Sequence, residues 1–343
     1  MSQDVSLVLV AHRSSALLAS AVAGFRHEAA ASGLAAETIV VEQSEDPAEQ
    51  RAAAACAPEL LLVRPNRGYA AGVNAGIAAA SGRWLLVANP DVELAAGALA
   101  PLLAALADGG GVVAPQLQLA GFLFPPADVQ TPAAEAARRR ALRHRRGWER
   151  HLLAELARWS RVWEADAPVA VPALSGASLA FPAALARRLG PWDEDYFLYF
   201  EETDWLRRSR RHGVRLAVVP AARASHRWGH AAQPEAWSDR FAASQRRYFR
   251  RWFPLLGPLV LRLPGGSPPP SRPWDEAPTG AGWRWLLSPS PAGFPAALLE
   301  AAAPVQAAAD EFCHACRRPG VTLTAWHPAG GRLAGPFWWP AGG

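Results

Sequence analysis

Between Leu60 and Ala88 the chain reads LLLVRPNRGYAAGVNAGIAAASGRWLLVA, in which two short apolar runs flank a segment rich in alanine and glycine. Short apolar runs are typical of strands buried in a parallel sheet, and the segment between them predicts a helix over Ala70–Ala80. Two earlier runs, Val5–Val10 and Thr38–Val41, are each followed by a helical pattern. This alternation predicts right-handed βαβ units and a mostly parallel sheet, which is the α/β fold class.

Composition predicts how the rest of the chain is organised. Leu94–Ala107 has the pattern of an apolar helix, and Arg138–Trp163 that of a basic amphipathic helix broken at Gly147. A run of proline and glycine near residue 270 indicates a linker. We therefore expect a core domain over residues 1–262, a linker over 263–280 and a small, β-rich C-terminal appendage over 281–343.

Charge and cysteine content restrict the partners and the compartment. The 343 residues carry a formal net charge of +5, and all 35 basic residues are arginine. Because arginine, alanine, glycine and proline are abundant together, this charge indicates compositional bias, and we expect no nucleic-acid partner. Three cysteines are too few for a disulfide framework, and no basic and apolar leader pattern opens the sequence. These features predict a cytoplasmic protein.

Two consecutive motifs carry most of the functional information. They are NRGYAAGVNAG over residues 66–76 and GRWLLVANPDV over residues 82–92. In this order they resemble glycosyltransferase family 2, in particular its rhamnosyltransferase and galactofuranosyltransferase-like branch, and the resemblance runs from about Val5 to Phe253. It implies a GT-A fold, a Rossmann-like core that binds nucleotide-diphospho-sugars.

The donor site is expected where the parallel strands end. Asn66 follows a strand, so its amide can bind polar ligand atoms, and Gly68 and Gly72 let the backbone approach a ligand. The alternative for Gly72 and Gly76 is close helix packing. The resemblance adds further positions to the donor site, namely Ala11, Glu42, Asn74 and Asn89. For Glu42, a surface acid is the alternative.

A divalent cation is expected beside the donor. Asp91 follows the fourth predicted strand, so its carboxylate should face the crevice. A leaving diphosphate needs its charge neutralised, and carboxylate oxygen suits Mg²⁺ or Mn²⁺. The resemblance implies that Asp91 ends a D-x-D-like metal motif and that His226 completes the site. The alternative for Asp91 is the N-cap of a helix beginning near Leu94.

The segment GPWDEDYFLYFEETDWLRR over residues 190–208 resembles the base and acceptor region of the family. Sugar transfer with inversion needs a base that takes the proton of the acceptor hydroxyl. The resemblance assigns this role to Glu202, where the family has Asp, and Glu201 stays open as the alternative. Asp204 is expected to pair with Arg207 or Arg208 instead.

The resemblance also places acceptor-binding residues here: Trp192, Asp193, Glu194 and Gly176, the last in the turn Ser175-Gly-Ala-Ser178. An aromatic face stacks well on the C–H groups of a sugar. The alternatives are a core Trp with two surface acids, and a plain tight turn.

Two features outside these motifs have open interpretations. The helix Arg138–Trp163 combines arginines with a Trp/Leu stripe, which favours either an anionic membrane surface or lipid-linked acceptor, or packing of the stripe inside the protein. Cys313 and Cys316 form a single C-x-x-C pair, which we interpret as structural and not as a zinc site.

We therefore expect a metal-dependent inverting glycosyltransferase. Its donor would be a nucleotide-diphospho-sugar such as dTDP-rhamnose, its acceptor a cell-surface glycan or lipid-linked glycan, and its place the cytoplasm with peripheral contact at the plasma membrane. The alternatives are a catalytically inactive nucleotide- or glycan-binding protein and a sugar-phosphate nucleotidyltransferase. The latter is disfavoured because Ala11-His-Arg-Ser-Ser15 lacks the glycines of a phosphate loop.

Overall fold

The computed structural model describes residues 3–109, 111–227, 234–300, 304–316 and 318–341. The chain divides into two compact units. The first is built from Met1–Gln116, Ala165–His226 and a helical segment ending at Tyr248, and the second from Leu117–Glu164 and Phe249–Gly343. The boundaries expected at residues 262 and 280 stay predictions, because compactness does not establish which segment folds by itself.

The elements are, in chain order, β1 (Val5–Ala11), α1 (Ser15–Ala31), β2 (Ala36–Glu42), α2 (Pro47–Ala55), β3 (Leu60–Val63), α3 (Tyr69–Ala79), β4 (Trp84–Ala88), β5 (Val92–Leu94), α4 (Leu99–Ala107), β6 (Val112–Leu119), β7 (Phe122–Leu123), α5 (Pro132–Ala141), α6 (Arg145–Trp163), β8 (Val169–Ala170), β9 (Ser178–Pro182), α7 (Ala183–Leu189), α8 (Glu201–Arg211), β10 (Leu216–His226), α9 (Pro234–Trp252), α10 (Gly257–Leu261), β11 (Arg284–Ser288), β12 (Ala297–Leu299), α11 (Val305–Cys316), β13 (Gly320–His327) and β14 (Arg332–Pro340). Among the described residues, no helix has both the length and the apolar character needed to cross a membrane.

Four parallel strands in the order β3-β2-β1-β4 form the centre of the first unit. β9 and β6 extend this sheet with antiparallel pairing, so the α/β fold is confirmed and the sheet is mixed. The central strand β1 is buried along its whole length. The chain winds outward from β1 to β3 and then returns to the other side of β1 with β4. Such a reversal opens a crevice at the carboxyl ends of the strands, where ligands bind.

The prediction of a helix over Leu94–Ala107 is wrong about where the helix begins. Leu94 ends strand β5, which pairs antiparallel with β10, and α4 begins at Leu99. The buried carboxylate of Glu28 accepts hydrogen bonds from the backbone N–H groups of Gly97 and Leu99, at 2.9 and 3.1 Å, and so fixes the start of α4 from another helix. The N-cap alternative for Asp91 is therefore wrong.

The helix expected over Arg138–Trp163 is two helices, α5 and α6, and the break lies before Gly147. His144 is the N-cap of α6, and its ring nitrogen Nδ1 accepts from the N–H of Gly147 at 2.8 Å. Gly147 therefore lies in the first turn of α6. A histidine cap is rarer than Ser, Thr, Asp or Asn, which is why the pattern did not indicate it.

The second unit has an antiparallel sheet in the order β14-β13-β11-β12-β7. The apolar stripe of α6 is buried in its core, together with Phe294, Leu298 and Trp326. Trp148, within this stripe, also donates from its indole nitrogen to the carbonyl of Ala292 at 2.7 Å. The packing alternative for the stripe therefore accounts for its buried apolar face.

Close packing of α3 on the sheet depends on two glycines. A Cβ atom at Gly76 would lie 2.3 Å from Cγ1 of Val8, and one at Gly72 would lie 2.5 Å from Cγ1 of Val10. Neither distance is sterically allowed, so these glycines set the distance between the helix and β1. This is the packing role that the sequence left open for both.

We expect Gly76→Ala to lower the free energy of unfolding by about 1–3 kcal/mol, because the added methyl group overpacks the contact with Val8. Gly24 in α1 is the matched control, since its added Cβ would be 3.9 Å from the nearest atom. There, alanine should stabilise by up to about 1 kcal/mol through helix propensity. Urea unfolding of both variants measures the difference, and equal effects would contradict the packing argument.

Candidate active site

The carboxyl ends of β1 and β2 carry the first predicted donor residues. Ala11 is buried and its carbonyl accepts from the N–H of Gln43 at 2.9 Å. Glu42 is completely buried, and its Oε1 accepts from the N–H of Ser44 at 2.8 Å. The surface-acid alternative for Glu42 is therefore wrong. Its second oxygen, Oε2, is buried without a hydrogen-bond partner among the described residues.

Asn66 ties the loop after β3 to the loop after β1. Its Oδ1 accepts from the N–H of Gly68 at 3.1 Å, and its Nδ2 lies 3.4 Å from Nδ1 of His12. The same ring nitrogen lies 3.1 Å from the carbonyl oxygen of Gln43. His12 and Gln43 thus belong to this edge although neither was selected as a candidate site residue. Their signal in the sequence was position, since each directly follows a strand.

The beginning of α3 is fastened to the loop over residues 190–200. Gly68 has a φ of +95°, and a Cβ there would lie 2.5 Å from the carbonyl oxygen of Phe197. That oxygen accepts from the N–H of Tyr69 at 2.9 Å. Further along α3, the amide of Asn74 donates to the carbonyl of Trp192 and accepts from its N–H, both at 2.9 Å. Gly68 and Asn74 therefore position this loop.

The predicted acceptor residues lie in the same loop. Trp192 is only 1% exposed, and its ring lies between those of Tyr69 and Trp205, so the core alternative accounts for it. Asp193 pairs with Arg247, with 3.4 Å between Oδ2 and the guanidinium. Glu194 accepts from Nδ2 of Asn74 at 3.1 Å and pairs with an exposed arginine, Arg67.

The fold brings Asp91 and His226 next to each other. Asp91 follows β4, and His226 is the last residue of β10, which pairs with β5. Oδ2 of Asp91 and Nε2 of His226 are 3.5 Å apart, and both side chains are mostly buried. Burial lowers the pKa of His226 against the opposing effect of Asp91, so the ring is neutral at neutral pH.

This pair fits a divalent cation as a partial ligand set. Adjacent ligand atoms of Mg²⁺ or Mn²⁺ lie about 3 Å apart, and the neutral imidazole keeps a lone pair for a metal. Within the described parts of the chain, no group of three or more His, Cys, Asp or Glu residues is arranged around one metal position. Asp91 and His226 would leave the other positions to water and to ligand oxygens, as is common for Mg²⁺.

Glu202 faces the turn that precedes β9. A Cβ at Gly176 would lie 2.6 Å from Cγ of Glu202, so the carboxylate side chain lies directly over this glycine. The next residue of the turn, Ala177, accepts with its carbonyl from the N–H of Asn89 at 2.9 Å. Gly176 and Glu202 are thereby connected to the strand end that carries Asp91.

The two glutamates at the start of α8 differ in exposure. Glu201 is buried and its Oε2 has no hydrogen-bond partner among the described residues, whereas Glu202 is half-buried and accepts from the hydroxyl of Thr203 at 3.1 Å. Burial raises the pKa of Glu201 and that of Glu202, and the charge of Glu202 raises the former further. Of the two, Glu202 is the acid that a ligand in the crevice can reach.

Two residues with strained backbone directly precede α8. Tyr199 and Phe200 have φ values of 68° and 70°, which residues with a side chain rarely adopt. Such strain is frequent at functional sites, where surrounding contacts enforce it. Burial, with the charges of Glu201 and Glu202, raises the pKa of Tyr199 to about 12.

Asp204 accepts from Nε of Arg208 at 3.1 Å, so the expected ion pair is confirmed.

Tyr69 is a site residue that the sequence reasoning did not select. Its hydroxyl is buried without a hydrogen-bond partner among the described residues. Burial and the charges of Glu201, Glu202 and Asp91 raise its pKa, so the phenol stays protonated. The available signal was the hydroxyl itself, since the motif accepts Phe or Tyr at this position.

Comparisons with known proteins agree with this architecture. The family model described as "Glycosyl transferase family 2" matches residues 6–131. None of the curated proteins compared with the chain matched it.

Two solved structures are similar in fold. One is the mannosyltransferase PcManGT from Pyrobaculum calidifontis in complex with GDP-Man and Mn²⁺, with a TM-score of 0.50 and 18% identity, covering 76% of this chain and 69% of that chain. The other is GalNAc-T7 with UDP, GalNAc and Mn²⁺, with a TM-score of 0.52 and 17% identity, covering 78% of this chain and 52% of that chain. At these identities the likeness concerns the fold alone. Residues 6–131 thus match the glycosyl transferase family 2 model, and the fold of the chain is similar to that of GT-A glycosyltransferases.

Proposed function

We propose that this protein is an inverting glycosyltransferase that uses a nucleotide-diphospho-sugar and a divalent cation. The observation that carries the proposal is the grouping of Asp91, His226 and Glu202 at one edge of the sheet. The first two form a pair 3.5 Å apart, and the third lies over Gly176 in the turn bonded to the Asp91 strand end. Both similar structures contain Mn²⁺ with a nucleotide or a nucleotide-sugar, which supports the same use here.

Each residue has a distinct role in this proposal. Asp91 and His226 would hold the cation, which neutralises the charge of the leaving nucleoside diphosphate. Glu202 takes the proton of the acceptor hydroxyl. The hydroxyl oxygen attacks the anomeric carbon while the bond from that carbon to the diphosphate breaks. Burial raises the pKa of Glu202, which brings the base closer to neutral pH, where general-base catalysis is most effective.

The remaining predicted residues would shape the binding sites of the donor and the acceptor. Ala11, Glu42, Asn66 and Asn89 lie at strand ends and would line the donor, while Gly68 and Asn74 hold the loop beside it. Within this class the sequence favours a rhamnosyl donor such as dTDP-rhamnose and an acceptor that is a cell-surface or lipid-linked glycan. Trp192 would act by packing, and Asp193 and Glu194 by shaping the acceptor side.

Asp91→Asn should abolish metal-dependent binding of nucleotides. We expect one nucleoside diphosphate, from a panel of UDP, GDP and dTDP, to raise the melting temperature of the wild-type protein only with Mn²⁺, by mass action. Asp108→Asn, the same change at an exposed position, is the control and should keep the shift. A Mn²⁺-dependent shift that survives in Asp91→Asn would exclude this metal ligand.

Glu202→Gln should remove turnover and keep donor binding. Loss of a general base lowers kcat by about 10²–10⁴-fold, whereas the nucleotide-dependent melting shift should stay as in the wild-type protein. Release of nucleoside diphosphate with an acceptor glycan measures turnover, and Glu311→Gln, at an exposed position of α11, is the control. Full activity of Glu202→Gln would eliminate it as the base.

Glu201→Gln tests whether buried Glu201 keeps its proton in the folded protein, and the readout is thermal stability. An unfolded Glu loses its proton near pH 4.5, and burial keeps the proton on folded Glu201 to higher pH. Stability therefore falls as pH rises through this window, because the unfolded state releases a proton that the folded state retains. A neutral Gln removes this loss, so the variant should gain melting temperature over the wild type at pH 8 and gain less at pH 5. A constant difference would contradict the raised pKa.

A further inference from the structure

The chain from Leu255 to Leu263 exposes a leucine patch on the second unit. The patch consists of Leu255, Leu256, Leu259 and Leu263, which are 82%, 62%, 59% and 37% exposed. Leucine side chains are more stable out of water, and a contiguous group of them at the surface marks a site of interaction.

The fold holds this patch in place. The N–H of Gly257, at the start of α10, donates to the carbonyl of Phe253 at 2.7 Å, and a Cβ at Gly257 would lie 2.6 Å from the carbonyl oxygen of Phe249. Val260, on the same short helix, is buried. α10 therefore uses its glycine and valine for packing, and the leucines are presented on the solvent side.

Arginines lie close to the leucines in the fold or along the chain. Nη1 of Arg139 donates to the carbonyl of Leu263 at 2.7 Å, and Gly266 packs against the backbone of Leu142, so the patch runs beside the end of α5. Four exposed arginines lie at this end of α5, in the last turn of α9 and directly after α10, and we call them the arginine rim: Arg140, Arg143, Arg250 and Arg262. The sequence from Phe241 to Trp274 contains no Asp or Glu.

We infer that the leucine patch and its arginine rim dock on the surface of an anionic lipid bilayer. Leucines that enter the acyl boundary and arginines that attract anionic headgroups are the combination that binds peripheral proteins to such membranes. The rim supplies charge complementarity, and the five-residue helix α10 allows only shallow insertion. The inference goes beyond the proposed function and does not depend on transferase activity.

This surface differs from the one that the sequence indicated. The apolar stripe of α6 is buried in the core of the second unit. Arg138 and Arg139 form ion pairs with the buried Glu135. The apolar part of a membrane contact therefore comes from the leucine patch, and the end of α5 contributes Arg140 and, just after it, Arg143.

Co-sedimentation of the full-length protein with vesicles tests the inference. We expect binding to vesicles of phosphatidylcholine mixed with phosphatidylglycerol, weakened by salt, and much less binding to phosphatidylcholine alone. The triple variant Leu255→Gln/Leu256→Gln/Leu259→Gln should bind at least about tenfold more weakly. Its control is Leu60→Gln/Val63→Gln, which makes the same change at exposed positions of β3.

A second pair of variants tests the rim separately. Arg250→Gln/Arg262→Gln should weaken binding to the anionic vesicles, whereas Arg187→Gln/Arg188→Gln, at exposed positions of α7, should not. Equal binding of the leucine variant and the wild type, or equal binding to neutral and anionic vesicles, would overturn the inference. So would a dimer, measured by light scattering, that the leucine variant loses while no form of the protein binds vesicles.

Discussion

The close contact between α3 and β1 is the constraint on which the candidate site depends. Gly72 and Gly76 bring the helix against Val8 and Val10, and this fixes where its first residues lie. Those residues then hold the loop over 190–200, through Tyr69 on Phe197 and Asn74 on Trp192. Because that loop leads directly into α8, the position of Glu201 and Glu202 follows from the packing of a helix that contains no acid.

The cost of this arrangement is electrostatic. Asp91, Glu201 and Glu202 all act on the hydroxyl of Tyr69, and burial raises the pKa values of both glutamates. Grouped carboxylates destabilise a folded protein unless protons, cations or hydrogen bonds compensate them. A divalent cation held by Asp91 and His226 would supply such compensation, so substrate binding and stability would be coupled at this edge of the sheet.

Much of the first unit was predictable because its signals are local. The four parallel strands were correct, since short apolar runs between helices leave few alternatives, and α3 was placed within one residue at each end. The errors came from contacts over long distances in sequence. Glu28 determines where α4 begins, and the burial of Trp192 depends on neighbours from α3 and α8. No pattern around either residue carries that information.

The same limit explains the partial view of the site. Motifs indicated Asp91, His226 and Glu202 one by one, but only the fold shows that β10 brings His226 to β5. They favoured Glu202 as the base but left Glu201 open, because both lie in the first turn of one helix. The difference arises from their surroundings, since one carboxylate is enclosed and the other lies over a glycine.

That glycine also gives space for a residue that departs from the pattern the sequence resembles. Glu202 stands where a shorter Asp is usual, and its additional methylene has to fit between α8 and the turn before β9. The absence of a side chain at Gly176 provides the space, because a Cβ there would lie 2.6 Å from Cγ and 3.1 Å from Cδ of Glu202. A longer acid facing a glycine can keep its carboxylate at the crevice. Glu at position 202 is therefore compatible with a base, because its carboxylate can take a proton as the carboxylate of Asp does.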